Sequence, residues 1–230
     1  MSLSKAIKLQ ADQPVIVVGA GGHARSVTGV LHDIGCTMAG VLADGGSAGQ
    51  AWPGIEWLGD LASAEKIYRR LPQAAWVMAI GDNYQRLRIL SAIQVACPQA
   101  HFPAVVHPSA VISDDAVLAE GVVLMPGAIV MAGCRLGACS LVNTRASLDH
   151  ESILAEGSSL APGAVVGGRV SIGRRSFIGI GAVIVPGITV GADAVLGAGA
   201  LLLQNLPDLT VAYGLPARVV RNRTEHEAYF

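Results

Sequence analysis

The chain has 230 residues, a formal net charge of −1 at pH 7, 14% charged residues and 52% hydrophobic residues. This near-neutral balance lacks the basic excess of nucleic-acid-binding proteins, so no nucleic acid is expected as a partner. Four cysteines without a CxxC spacing favour structural roles in a reducing cytoplasm over disulfides or metal ligation. No apolar signal segment precedes Pro14, and a cytoplasmic location is therefore predicted.

The first hundred residues alternate apolar runs with helical patterns. Residues 1–13 are polar and predict a frayed terminus. Residues 14–100 predict half of a dinucleotide-binding fold, a βαβαβ unit followed by one more helix. The expected elements are strand 15–18, helix 23–34, strand 38–42, helix 60–70, strand 75–80 and helix 83–94.

A glycine-rich turn joins the first strand to the first helix. Residues 19–24 read Gly-Ala-Gly-Gly-His-Ala and match G-x-G-x-x-A, a spacing that lets backbone N–H groups approach a phosphate. Asp44 follows the second strand, where it can accept hydrogen bonds from sugar hydroxyls, and Gly81 follows the third. Half a fold suits one nucleotide or nucleotide-sugar better than NAD. Close packing of strand on helix is the alternative reading of this turn.

From Val105 to Leu206 the chain divides into seventeen blocks of six residues whose second residue is always Val, Ile or Leu. A period of six fits neither a helix nor an alternating strand, but it fits a parallel β-helix shaped as a triangular prism, with 18 residues per coil. A membrane span is the alternative for the uncharged residues 176–192, but Pro186 and several glycines interrupt them. The predicted β-helix domain spans 101–214, followed by a tail at 215–230. Its faces are so poor in charge that we expect them to pack in an oligomer.

The most polar block of the repeat contains a histidine and a glutamate. Leu148 takes the inward position of residues 147–152, so His150 should lie outside, near a corner. One coil later stands Gly168, whose bare backbone N–H could hold an oxyanion beside a histidine base, the minimum needed for acyl transfer. Glu151 could hold the other imidazole nitrogen. A solvated His–Glu corner is the alternative, and no metal site is expected, since only His107 and His150 lie on the prism.

The chain resembles the NeuD/PglD-type sugar acyltransferases of the hexapeptide-repeat superfamily. The resemblance rests on VIVVGAGGHARSV, AIGDNYQR, LVNTRASLDHES and YGLPARVVR, which together span nearly the whole chain. It implies that the β-helix is left-handed and that acetyl-CoA is the acyl donor. We also expect a homotrimer with active sites between neighbouring prisms, because an outward-facing histidine needs a second wall to exclude water, and we expect no membrane insertion.

The same resemblance assigns roles to individual residues. His150 matches the catalytic base, Glu151 the acid that supports it, and Asn143 an asparagine of the site motif. Gly168 matches the glycine that faces the thioester carbonyl, and Ile180 and Ala198 match the wall of the CoA arm. Ser159 stands where relatives can carry a second CoA-contacting histidine. The matches to the nucleotide-sugar pocket are Gly21, Gly22, His23, Asp44, Gly81 and Tyr84. Apart from the resemblance, five arginines are candidates for the CoA phosphates, with a solvated surface position as the alternative for each: Arg169, Arg174, Arg175, Arg218 and Arg221.

The resemblance implies acetyl transfer from acetyl-CoA to a sugar, and we expect the acceptor to be the amino group of a UDP- or GDP-linked 4-amino-sugar in surface glycan biosynthesis. Acetylation of a sialic acid hydroxyl is a rival that would need no nucleotide pocket. A β-helix scaffold that binds a nucleotide-sugar without turning it over is a second rival, which the pairing of His150 with Gly168 disfavours.

Overall fold

The computed structural model describes residues 8–45, 54–225 and 227–229. Its N-terminal domain is an α/β unit around a parallel sheet. The elements are β1 (Pro14–Val18), α1 (Gly22–Ile34), β2 (Thr37–Leu42), β3 (Trp57–Gly59), a 3-10 turn (Leu61–Ser63), α2 (Ala64–Arg70), β4 (Ala75–Met78) and α3 (Asn83–Ala96).

The all-apolar β1 lies in the middle of this sheet, whose strand order is β3-β2-β1-β4. Both neighbours pair with it in parallel, so the chain must cross over between strands, and α1 makes the crossover from β1 to β2. The predicted α/β unit is confirmed, with two local differences. The short edge strand β3 was not predicted, and the helix expected over 60–70 begins as a 3-10 turn that the Asp60 carboxylate caps.

Each of the seventeen predicted blocks begins with a two-residue strand. These strands are β5 (Val105–Val106), β6 (Val111–Ile112), β7 (Val117–Leu118), β8 (Val123–Leu124), β9 (Ile129–Val130), β10 (Arg135–Leu136), β11 (Leu141–Val142), β12 (Ser147–Leu148), β13 (Ile153–Leu154), β14 (Ser159–Leu160), β15 (Val165–Val166), β16 (Ser171–Ile172), β17 (Phe177–Ile178), β18 (Val183–Ile184), β19 (Thr189–Val190), β20 (Val195–Leu196) and β21 (Leu201–Leu202).

Every third strand pairs in parallel, which gives the prism three faces. Face 1 contains β5, β8, β11, β14, β17 and β20; face 2 contains β6, β9, β12, β15, β18 and β21; face 3 contains β7, β10, β13, β16 and β19. The second residues of the strands from Leu118 to Leu202 are buried in the shaft, as predicted. Pairing residues 18 apart stacks each corner directly on the corner one coil away.

Face 1 packs against the N-terminal domain. Val105, Val123 and Leu141 point outward from it into the same apolar cluster as Val15 and helix α1. The prediction of a frayed terminus is wrong for residues 8–13, because Leu9 is buried and its N–H donates to Ala104 O at 3.0 Å. Residues 1–7 lie outside the described part of the chain.

After the last coil the chain forms a hairpin that extends face 1. β22 (Thr210–Gly214) runs parallel to β20, and β23 (Ala217–Asn222) returns antiparallel to β22. The predicted boundary between β-helix and tail, at residue 214, falls within this hairpin. Within the described ranges, no helix has the length and apolar character needed to cross a bilayer.

Candidate active site

A first cavity of about 490 Å³ lies at the carboxyl edge of the N-terminal sheet. It is lined by the glycine turn, by the ends of β1, β2 and β4, and by α3. Five of the six residues predicted for a nucleotide-sugar pocket line it, and the sixth, Tyr84, does not; the five are Gly21, Gly22, His23, Asp44 and Gly81. Tyr84 instead lies under the Arg175 guanidinium, 5.9 Å from its ring centroid.

The glycines of the turn differ in how much room a side chain would have at each position. A Cβ at Gly19 would lie 2.8 Å from Ala79 O, so a side chain there is excluded by packing. A Cβ at Gly21 or Gly22 would meet no described atom within 4 Å. These two glycines leave the N-terminus of α1 open toward the cavity, where its N–H groups can receive an anionic ligand.

His23 and Asp44 supply the polar side chains of this cavity near α1. Burial, followed by the Arg86 charge, lowers the pKa of His23 from 6.5 to about 4, so its imidazole is neutral at pH 7. Asp44 Oδ1 accepts from Leu61 N at 3.0 Å, which fixes the carboxylate at the edge of the sheet. A neutral histidine and a held carboxylate can both form hydrogen bonds to a bound ligand.

A second cavity of about 370 Å³ adjoins the first, and His23 and Gly81 line both. Its other walls come from face 1 and from the corner between faces 1 and 2. Asn143, Ser159 and Ile180, three of the predicted catalytic and CoA-contacting residues, line it. Ala198 lies exposed on the same corner, one coil beyond Ile180. We call this edge, with Asn143, Pro162, Ile180 and Ala198, the Asn143 corner.

A buried polar cluster joins the two domains behind the second cavity. Arg86 is 2% exposed; its guanidinium donates to the carbonyls of Ile80 and Cys139 at 2.8 Å and of Gly157 at 2.9 Å. It also donates to Asn83 Oδ1 at 2.7 Å. The cluster thereby ties the N-terminus of α3 to two coils of the β-helix.

The chain end closes the second cavity. Tyr229 stacks on Phe177 with ring centroids 4.7 Å apart, and its hydroxyl accepts from Asn83 N at 3.1 Å. Burial raises the pKa of its phenol, so the phenol is neutral. Neither Tyr229 nor the buried Arg86 was assigned a role from the sequence. The AIGDNYQR segment carried a signal for Arg86, but nothing local pointed to Tyr229.

His150 lies on a different corner, between faces 2 and 3. Its Nδ1 is 3.2 Å from Glu151 Oε2, and its side chain is 44% exposed. A Cβ at Gly168 would lie 2.5 Å from His150 Cε1, so the imidazole rests directly on the bare backbone of that glycine. No described residue accepts the Gly168 N–H. We call this edge, with His150, Glu151, Gly168 and Arg169, the His150 corner.

The predicted site residues therefore divide between two corners of one prism. The base, its carboxylate and the oxyanion glycine lie on the His150 corner, and His150 lines neither cavity. The residues predicted for the CoA arm and the nucleotide-sugar lie at the Asn143 corner and beyond it. The whole of face 2 separates the two groups.

The five candidate arginines are mostly paired with acidic residues. Arg175 binds Asp193 through two hydrogen bonds of 2.8 and 2.6 Å and contacts Glu225 at 3.1 Å. Arg174 pairs with Glu156 at 3.3 Å and Arg221 with Glu227 at 2.6 Å. Arg169 is 3.9 Å from Glu151, and Arg218 donates to Ala217 O at 3.1 Å. Among the described residues no group of acidic, histidine or cysteine side chains could hold a metal ion.

Comparison with known proteins gives two family matches and close structural relatives. Residues 14–93 match the PglD N-terminal domain, and residues 169–204 match the hexapeptide repeat of succinyl-transferase. A mutant of GDP-perosamine N-acetyltransferase from Caulobacter crescentus, in complex with CoA and GDP-perosamine, is 33% identical; it covers 92% of this chain and 99% of its own, with a TM-score of 0.83. The acetyltransferase domain of PglB from Neisseria gonorrhoeae, in complex with acetyl coenzyme A, is 30% identical. The match covers 91% of this chain and 100% of that domain, with a TM-score of 0.83. WeeI from Acinetobacter baumannii, at 23% identity and a TM-score of 0.80, shares the fold.

The fold and both matched domains define a hexapeptide-repeat acyltransferase with a left-handed β-helix, and acetyl-CoA as its co-substrate. The chain belongs to the PglD/NeuD-type sugar acetyltransferases. The family and fold expected from the sequence are confirmed.

Proposed function

We propose that the protein transfers an acetyl group from acetyl-CoA to the amino group of a nucleotide-linked amino sugar, a UDP- or GDP-4-amino-sugar. The observation that carries this proposal is the pair of adjoining cavities that share His23 and Gly81. One offers an open helix N-terminus for a diphosphate, and the other leads from there to the corner predicted to bind the CoA arm. The relatives that bind CoA and GDP-perosamine together support the same pairing of ligands.

In this proposal the first cavity holds the nucleotide. The N–H groups at the start of α1 would receive a phosphate, and Asp44 would accept from sugar hydroxyls of the nucleoside. The neutral His23 stands where the two cavities meet, so the amino sugar would pass it on the way into the second. A free sialic acid has no nucleotide to fill the first cavity, which favours the nucleotide-linked acceptor.

We further propose that each active site is shared by neighbouring prisms of a cytoplasmic homotrimer. Face 2 displays exposed apolar side chains on four of its six strands, in a charge-poor surface: Val111, Ile129, Val165 and Val183. Burying this face against a copy would bring the His150 corner of one subunit to the Asn143 corner of the next. Such head-to-tail contacts close into a ring when the rotation is threefold.

In the proposed reaction the sugar amine attacks the thioester carbonyl carbon while His150 Nε2 takes its proton. Glu151, 3.2 Å from Nδ1, would keep that nitrogen protonated and leave Nε2 free to act as the base. The C–N bond forms, the C–S bond breaks, and the thiol of CoA leaves with a proton. Gly168 N–H would hold the oxyanion in between, and no covalent acetyl-enzyme is required.

Thiol release from acetyl-CoA, measured against UDP- and GDP-linked 4-amino-sugars with sialic acid alongside, tests the proposal. We expect turnover of at least one nucleotide amino sugar and its loss in His150→Ala. Turnover of sialic acid alone would replace the proposal with hydroxyl acetylation. A protein that binds the nucleotide-sugar but releases no thiol with any acceptor would be a non-catalytic scaffold.

A further inference from the structure

The chain end forms a fixed wall of the second cavity. Phe177 stacks on the Tyr229 ring with centroids 4.7 Å apart, and the Arg223 guanidinium lies over the same ring, 5.3 Å from its centroid. Arg223 is buried and donates to Asp193 O at 2.9 Å as well as to Glu227 O. A ring held by Phe177, by Arg223 and at its hydroxyl forms a fixed part of the cavity wall.

Several polar side-chain atoms around this end of the cavity already have hydrogen-bond partners. The Ser159 hydroxyl donates to Asn83 Oδ1 at 2.6 Å, and the Tyr229 hydroxyl already accepts from Asn83 N. Asn143 Oδ1 accepts from Thr144 N at 2.8 Å. An aliphatic chain that lies against the Tyr229 and Phe177 rings would therefore lose no hydrogen bond.

The position of the wall relates it to the acyl donor. Ile180, predicted to contact the CoA arm, is exposed and lines the same cavity as Tyr229 and Phe177. A thioester that reaches the Asn143 corner along Ile180 would place its acyl substituent in the cavity that these two rings line.

We propose that Tyr229 is a specificity-determining residue that limits the acyl group of the CoA thioester to short aliphatic chains. This inference rests on the proposed acyl transfer. The bonds made and broken are those of that reaction, and Tyr229 acts only on the size of the substituent carried by the thioester carbonyl. The acyl group is thus limited by a side chain from the far end of the sequence.

The test compares kcat/KM for acetyl-, propionyl- and butyryl-CoA in the wild type, Tyr229→Ala, Tyr229→Leu and Tyr229→Phe. We expect the wild type to lose about tenfold or more for each added methylene, a typical penalty in a closed apolar pocket. Tyr229→Ala should raise the butyryl-to-acetyl ratio by about tenfold or more and Tyr229→Leu by less, because each leaves more room. Tyr229→Phe keeps the ring and should keep the wild-type ratio. Tyr68→Ala, on α2 away from both cavities, is the matched control.

An unchanged butyryl-to-acetyl ratio in a folded Tyr229→Ala would overturn the proposal, as would an equal loss with all three thioesters, which indicates a structural role. If the wild type acylates no acceptor, the proposed function fails. The size limit is then decided by calorimetric binding of acetyl-CoA and butyryl-CoA. A gain for butyryl-CoA in Tyr229→Ala supports the limit, and equal changes for the two thioesters overturn it.

Discussion

The Asn143 corner and the His150 corner lie one face apart on the same β-helix, yet their surroundings are opposite. The Asn143 corner is backed by the N-terminal domain and borders a cavity, whereas the His150 corner faces outward with its imidazole 44% exposed. The Asn143 corner borders a cavity but carries no candidate for the catalytic base. The His150 corner carries the proposed base but borders neither cavity. An exposed histidine needs a second wall to exclude water, so this difference favours a site completed by a neighbouring copy.

The largest expected effect is at the exposed corner. His150→Ala removes the proposed base, and kcat should fall by roughly 10² to 10⁴, the usual contribution of general base catalysis. Because the side chain is half exposed, the melting temperature should stay close to that of the wild type. Steady-state kinetics and a thermal melt check both parts; full activity in the variant would refute the assignment of the base.

Beside the Asn143 corner, where the N-terminal domain packs, a substitution should lower the stability of the protein. Arg86→Met removes a buried guanidinium that satisfies carbonyls of both domains, and the free energy of unfolding should fall by about 3–5 kcal/mol. Urea denaturation measures the loss. The control is Arg69→Ala, an exposed ion pair on α2 that should cost about 0.5 kcal/mol or less. Equal losses for the two variants would show that the contact between the two domains does not depend on Arg86.

A smaller loss of activity is expected from the glycine under the base. In Gly168→Ala the new Cβ overlaps the His150 imidazole, which must rotate away from the backbone N–H. We expect kcat to fall by about 10²-fold, comparable with the loss of one oxyanion contact. Gly163→Ala is the control for adding a methyl group to the surface of the β-helix. The left-handed φ of 69° at Gly163 means that this substitution also strains the backbone. Retention of wild-type kcat in Gly168→Ala would show that His150 does not need its present position.

The smallest effect concerns pH at the junction of the cavities. The pKa of His23 is about 4 in the folded protein against 6.5 for an exposed histidine, so the unfolded chain binds more protons between those values. The stability contributed by neutral His23 is therefore present above pH 6.5 and is lost as the pH falls toward 4. His23→Gln should flatten the melting temperature over this window, while His32→Gln, at an exposed site, should not. A slope identical to that of the wild type would show that His23 is not buried as described.

The sequence predicts the β-helix almost completely, because each block of six forms its strand and corner from local residues and then repeats them. The stacking of His150 on Gly168 follows from the same period of 18. The buried polar cluster that joins the domains was not predictable from the sequence, because the burial of Arg86 depends on carbonyls as far along the chain as that of Gly157. The return of Tyr229 to Asn83 spans 146 residues and left no local pattern.

Mixed trimers test the central claim, that each site takes its base from one subunit and its nucleotide pocket from another. Gly22→Glu places a carboxylate at the open N-terminus of α1, where it should repel the phosphates without disturbing the helix. His150→Ala and Gly22→Glu should each be inactive alone. If the site is shared, equal amounts of the two, unfolded and reassembled together, should regain about one quarter of the wild-type activity, since one random pairing in four joins an intact base to an intact pocket. If both halves belong to one subunit, no mixture can regain activity, and that result would contradict the account.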